Sequence, residues 1–300
     1  MLYIAWSPTY RYTLPEGHRF PMEKYDILPE QLLYEGTIAP GNIFEPAPLC
    51  DRDILLTHTA EYLDKLNSLT LSRKEVRDIG FPMSDALVCR GKHIANGTYQ
   101  CALHAKVHRI AMNTAGGTHH SFANRGEGFC LFNDIAIASS LLLARGEATR
   151  ILVVDLDVHQ GNGTASIFRL EPRIFTFSMH GQRNYPTRKE QSTLDVGLPD
   201  HTEDKEYLSL LYDHLHRIMD EFQPDFLFYQ AGVDVLATDK LGRLSLTRQG
   251  CKERDRIVLR AAHQYNIPMA VTMGGGYSAR LPDIIEAHAN TYRLAQEIFF

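Results

Sequence analysis

Short apolar runs alternate with amphipathic stretches along the whole chain. The runs predict strands at Leu2–Trp6, His108–Asn113, Ile151–Asp155, Ile174–Ser178, Phe226–Gln230 and Met269–Met273. Ile151-Leu152-Val153-Val154 is apolar and rich in β-branched residues without alternation, the pattern of a strand covered on both faces. Between the strands the period lengthens to that of a helix. Asp134 is expected to cap a helix carrying Ile135, Ala138, Leu141 and Leu142 that stops at Arg145-Gly146. Glu203 and Asp204 favour a second start through the helix dipole, with Leu208, Leu211, Leu215, Ile218, Met219 and Phe222 as its stripe and Pro224 as its end. Strands alternating with helices predict a mostly parallel sheet with helices on its faces. No repeat, low-complexity tract or Pro/Gly-rich linker interrupts the pattern, so residues 1–300 are expected to form one domain.

The polar residues fall at one end of these strands. His108–Asn113 runs into Gly116-Gly117-Thr118-His119-His120, and Ile151–Val154 into Asp155-Leu156-Asp157-Val158-His159. Ile174–Phe177 runs into Ser178-Met179-His180, Phe226–Tyr229 into Gln230-Ala231-Gly232-Val233-Asp234, and Met269–Thr272 into Gly274-Gly275-Gly276-Tyr277. Ligand sites of open α/β sheets lie beyond the carboxyl ends of the strands. Five strands delivering Gly, His, Asp and Tyr to that edge predict a single convergent site.

Composition narrows the function. The 300 residues are 44% hydrophobic and 22% charged, with a net charge of −5 and no Lys/Arg run longer than three, which argues against a nucleic-acid surface or a polybasic membrane patch. Five cysteines without a C-x-x-C pair fit a reducing compartment better than a disulfide framework. With no signal-peptide pattern at the start and no long apolar run, a cytoplasmic location is expected.

Asp157, His159 and Asp234 are the candidate metal ligands. If strand geometry persisted through D-x-H, its two side chains would point the same way. One nitrogen and two oxygens with an open position suit zinc, and iron(II) or cobalt takes similar ligands. Two carboxylates weaken the dication as a Lewis acid, so a nearby base is expected. His119 and His120 supply imidazoles next to two glycines, and Asp155 and Asn162 are available to fix their tautomers. Tyr277, after three glycines, is a candidate donor to a developing oxyanion. The remaining histidines, including His58 and His288, are expected to serve packing or surface roles.

These residues resemble a known family. GGTHH (Gly116–His120), GEGFCLFND (Gly126–Asp134), DLDVHQGNGT (Asp155–Thr164), QAGVDVLATDKLG (Gln230–Gly242) and GGGY (Gly274–Tyr277) occur in the order found in zinc-dependent histone deacetylases. GHRFPMEKY (Gly17–Tyr25) resembles the family's bacterial and class IV members. The resemblance implies the arginase-deacetylase fold, a single α/β domain around an eight-stranded parallel sheet. It implies zinc on Asp157, His159 and Asp234, His120 as general base, His119 as its partner held by Asp155, and Tyr277 as the oxyanion donor. Phe129, Gly128, Tyr185 and Leu241 resemble the walls and gate of a substrate tunnel. Structural potassium is implied at Asp155, Asp157, His159, Ser178 and Met179, with Phe168, Glu171 and Ile174 part of a second site.

The activity implied is hydrolysis of an acyl group, acetyl or longer, from N-ε-acyl-lysine in a peptide or protein, or from a small acylated amine. Leu241 stands where polyamine deacetylases place a carboxylate, which favours acyl-lysine over the alternative acetylpolyamine amidohydrolase. A ureohydrolase is disfavoured because the extra aspartates of a two-manganese site are missing after His159 and Asp234. A catalytically inactive acyl-lysine-binding protein conflicts with the intact ligands, base and tyrosine. Asn162 departs from class I relatives, which carry Asp there. It can accept from imidazole N–H but brings no charge to favour imidazolium.

Overall fold

Four central strands are buried at every residue, so helices must cover both faces of the sheet. In the computed structural model, which describes residues 1–300, the strands are β1 (Tyr3–Ala5), β2 (Ile43–Phe44), β3 (Ile110–Asn113), β4 (Ile151–Asp155), β5 (Ile174–Gly181), β6 (Leu194–Leu198), β7 (Phe226–Gln230) and β8 (Met269–Thr272). They form one sheet in the order β2-β1-β3-β8-β7-β4-β5-β6, and every neighbouring pair is parallel. The α-helices are α1 (Lys24–Tyr34), α2 (Asp51–Ile54), α3 (Ala60–Asn67), α4 (Arg73–Ile79), α5 (Asp85–His108), α6 (Asp134–Ala144), α7 (Asn162–Phe168), α8 (Asp204–Phe222), α9 (Arg248–Gln264) and α10 (Leu281–Phe299). One hydrophobic cluster of 81 residues runs through sheet and helices. This is a single α/β domain.

The six predicted strands are present, and two more flank them. The edge strand β2 is two half-buried residues, and β6 alternates half-buried and exposed positions. Neither has the continuous apolar run that marks the centre of the sheet. The strand expected at His108–Asn113 begins only at Ile110, because α5 runs through His108 and Arg109 turns the chain at φ +76°.

The cap of α6 also differs from expectation. Asn133, not Asp134, accepts from the Ala136 N–H. Asp134 sits inside the first turn and faces the site loop instead, accepting from Gly117 N, Thr118 N and Oγ1, and Thr98 Oγ1. The expected start of α8 is present, although Glu203 makes no side-chain cap. Its buried stripe is Tyr207, Leu211, Leu215, Ile218 and Met219, and the chain leaves at Gln223, φ +50°, just before Pro224.

Candidate metal-dependent active site

Strand β4 ends at Asp155, so alternation along a strand does not align the next two ligands as the sequence had led us to expect. Asp157 and His159 lie in the loop that follows, and Asp234 in the loop after β7, whose neighbour in the sheet is β4. His159 Nδ1 is 3.0 Å from Asp157 Oδ1 and 3.1 Å from Asp234 Oδ2. All three residues are buried and offer ligand atoms within 4.8 Å of one another. Tetrahedral bonds of about 2.0–2.1 Å place ligand atoms about 3.3 Å apart, close to this spacing. Backbone amides hold the carboxylates: Gly275 N donates to Asp157 Oδ2, and Val158 N to Asp234 Oδ1.

The electrostatics also fit a cation. Burial and the neighbouring Asp157 charge push Asp234 up to about 7. Burial works against charge on His159, yet its bonds to Asp157 and Asp234 carry it up to about 10. Two buried carboxylates thus need positive charge between them, and protons supply it where a dication would. The donor set and its spacing fit a divalent metal.

Beside the trio, the His119 and His120 rings lie 4.1 Å apart. His119 Nδ1–H donates to Asp155 Oδ2 at 2.7 Å, and His120 Nδ1–H to Asn162 Oδ1 at 2.7 Å. Asn162 Nδ2 in turn donates to Glu127 Oε1 at 2.6 Å, which fixes the amide with its oxygen toward His120. The two imidazoles diverge in charge. Burial opposes protonation of His119, but Asp155 and Asp157 outweigh it and raise its pKa. Burial, reinforced by His119 and His159, drives His120 well below the usual histidine range. His120 is therefore neutral with its Nε2 lone pair free.

Glycines let the loops close in. A Cβ on Gly275 would fall 2.1 Å from Asp234 Oδ2, and one on Gly128, φ +57°, would fall 2.6 Å from the His120 ring. Phe129 follows at φ +67°, a conformation few non-glycine residues adopt. A cleft of about 330 Å³ leads down past Gly128, Phe129, Tyr185 and Leu241 to His120, His159 and Tyr277. Below it, a space of about 40 Å³ is bounded by Tyr277, Asp157, the Gly274-Gly275 backbone and Arg90. Burial and the nearby Asp157 and Asp234 charges hold the Tyr277 hydroxyl well above its usual pKa, so it stays protonated. The structure thus brings His119, His120, Asp155, Asn162, Asp157, His159, Asp234 and Tyr277 together with the four cleft residues.

The residues assigned to potassium are placed less simply. Ser178 lies opposite Asp155 in the β4–β5 register, but its Oγ bonds His180 Nδ1, and Met179 is buried beside it. Glu171 of the second set faces Arg173 with both carboxylate oxygens.

Besides Glu127, three supporting residues escaped the sequence reading. Lys24 is fully buried in α1, donates to Gly274 O at 3.1 Å, and is pushed down to about 8 by burial. Arg254 of α9 is equally buried, and its guanidinium donates to Leu156 O and Gly232 O, one on each ligand loop. Asp239 accepts from Tyr277 N with one oxygen and from Leu241 N and Gly242 N with the other. A signal existed for Arg254: Cys251, Arg254, Asp255, Val258 and Leu259 share the buried stripe of α9, so a charged pair occupies core positions.

The eight-stranded parallel sheet and the buried trio beyond its strand ends define an α/β protein of the arginase-deacetylase fold. Comparison with known proteins narrows the class. Residues 18–292 match the histone deacetylase domain. The chain is 32% identical over 282 residues to histone deacetylase 2 of Arabidopsis thaliana, covering 90% of this chain and 73% of that one. It therefore belongs to the histone deacetylase family. An uncharacterized protein of Picosynechococcus is 43% identical over 297 residues, 99% of both chains. The crystal structure of an HDAC homolog complexed with SAHA superposes with a TM-score of 0.81 at 24% identity, covering 96% of this chain and 84% of that one, a likeness of fold. No helix is long and apolar enough to cross a membrane.

Proposed function

We propose that residues 1–300 form one catalytic domain that hydrolyses N-ε-acyl-lysine, releasing a carboxylate and the free amine. The observation that carries this is His120, buried and held at Nδ1 by Asn162 with its Nε2 unengaged, beside a buried Asp/His/Asp trio. Asp157, His159 and Asp234 would hold zinc, with iron(II) or cobalt as alternatives. Bound there, the metal supplies Lewis acidity toward water and the acyl oxygen. His120 takes the proton of the attacking water and returns it to the leaving amine. His119, held by Asp155, and Asn162, held by Glu127, fix the geometry of that transfer. The Tyr277 hydroxyl, kept protonated, donates to the oxyanion. Phe129 and Tyr185 flank the lysine stem, with Gly128 giving it room and Leu241 standing at the gate. Potassium near Asp155, Ser178 and Met179 would be structural.

Metal analysis combined with a hydroxamate-inhibitable amidase assay tests this. An acetyl-lysine peptide, a longer-acyl peptide and acetylputrescine are the substrates. Turnover of acyl-lysine that is lost on chelation and restored by zinc is expected. Preferential hydrolysis of acetylputrescine would move the assignment to the polyamine enzymes, and a zinc-loaded chain inert on all three would retire it.

A further inference from the structure

Three arginines from separate loops, Arg19, Arg183 and Arg243, line the mouth of the cleft, against a single lining carboxylate, Asp78. That carboxylate is already engaged by Lys74 Nζ at 2.6 Å. Asp200 serves two of the arginines at once, at 3.2 Å from Arg243 and 3.8 Å from Arg183, whose side chains remain 56% and 77% exposed. Arg19 is exposed, forms no ion pair, and rests its guanidinium 5.0 Å above the Phe129 ring. The chain as a whole carries a net charge of −5, so this positive rim runs against the sign of the molecule.

We propose that the rim selects an acyl-lysine carried in an acidic stretch of polypeptide, an inference that rests on the deacylase assignment above. A charge ring around a cleft with low-dielectric walls concentrates ligands of opposite sign and repels its own. The apolar gate at Leu241 accepts the uncharged stem, and the arginines meet whatever flanks it. Arg183 and Arg243 converge on Asp200 while Arg19 sits over Phe129, so carboxylates at two points of the rim are met, as an acidic peptide supplies and a small molecule does not. Lys/Arg-rich peptides and polyamines, by the same field, are disfavoured.

The test uses the zinc-loaded full chain and peptides of equal length with one central acetyl-lysine, flanked by Asp/Glu, by Gly/Ser or by Lys/Arg. Turnover and fluorescence-anisotropy binding are read separately. At low salt the acidic peptide is expected to exceed the basic one about tenfold in kcat/KM. That ratio should collapse at high salt, where screening shortens to a few ångströms. The triple variant Arg19→Gln/Arg183→Gln/Arg243→Gln should bring it near one, and Arg243→Glu, a change at an exposed position, should tip it toward the basic peptide. Equal turnover of all three peptides overturns charge selection and leaves the deacylase standing. Binding in the order acidic, neutral, basic without cleavage of any upholds charge selection and overturns the deacylase. Free N-ε-acetyl-lysine handled as well as the acidic peptide overturns the polypeptide.

Discussion

At the scale of single residues, the pair His120–Asn162 shows how one amide sets a titration. Asn162 accepts the His120 N–H without supplying charge, and the carboxylate behind it, Glu127, stands one hydrogen bond further out. Charge at position 162 would favour imidazolium, so a higher pH would be needed to free the base. Because Asp beside Glu127 would put two carboxylates at hydrogen-bond distance, Asn162→Asp is best combined with Glu127→Gln. We expect the acidic limb of the pH–kcat/KM profile of that double variant to move upward. A limb that stays in place would separate Asn162 from the base. Tyr277→Phe removes only a hydroxyl and should lower kcat on the order of 10²–10³-fold while zinc content is unchanged. Full activity of that variant would take Tyr277 out of the reaction. Both residues were legible in the sequence because their chemistry is declared by residue type. Glu127 was not, since its role depends on which way an amide faces.

Elements determine whether the ligands stay at their distance. The loops after β4 and β7 carry all three, and the guanidinium of Arg254 from α9 bridges their backbones at Leu156 and Gly232. Asp255 partners that guanidinium and also receives Tyr229 and Thr291 hydroxyls, so the network is buried and satisfied. Breaking one member of a buried charged pair costs about 3–5 kcal/mol. Arg254→Met should therefore lose about that much in denaturant unfolding and release zinc to a chelator faster, whereas a wild-type release rate would refute the clamp. The central strands were readable because burial on both faces leaves no alternation to misread. The edges β2 and β6 were not, being short or half-exposed. Asp134 misled for a different reason. It has the composition of a cap, but the Gly117-Thr118 backbone competes for its carboxylate and wins, leaving Asn133 to cap the helix.

For the whole molecule, metal binding and stability are linked. In the metal-free state Asp157 and Asp234 hold His159 toward its protonated form, and burial beside Asp157 shifts Asp234 toward its neutral form. Zinc must displace those protons, so its binding should release about one proton or more, and its affinity should fall as pH falls. Calorimetry in buffers of different ionisation enthalpy reads that number directly, and a value of zero would contradict the protonated trio. Saturation at 100 times Kd should add about 2.7 kcal/mol to unfolding and raise Tm accordingly.

Strand β8 sets the timetable of assembly. It lies between β3 and β7, and the sheet has no other junction between β2-β1-β3 and β7-β4-β5-β6. About nine-tenths of the chain is thus made as two sets of strands that cannot pair with each other, with His119 and His120 beside one and the ligands beside the other. Only when residues 269–272 slot between them does the cleft come into being, bringing Gly275 onto Asp157 in the same event. Ribosome-stalled chains ending before Met269 carry all three ligands but lack the Gly275 bond to Asp157, and should lose zinc on gel filtration where the full chain keeps it.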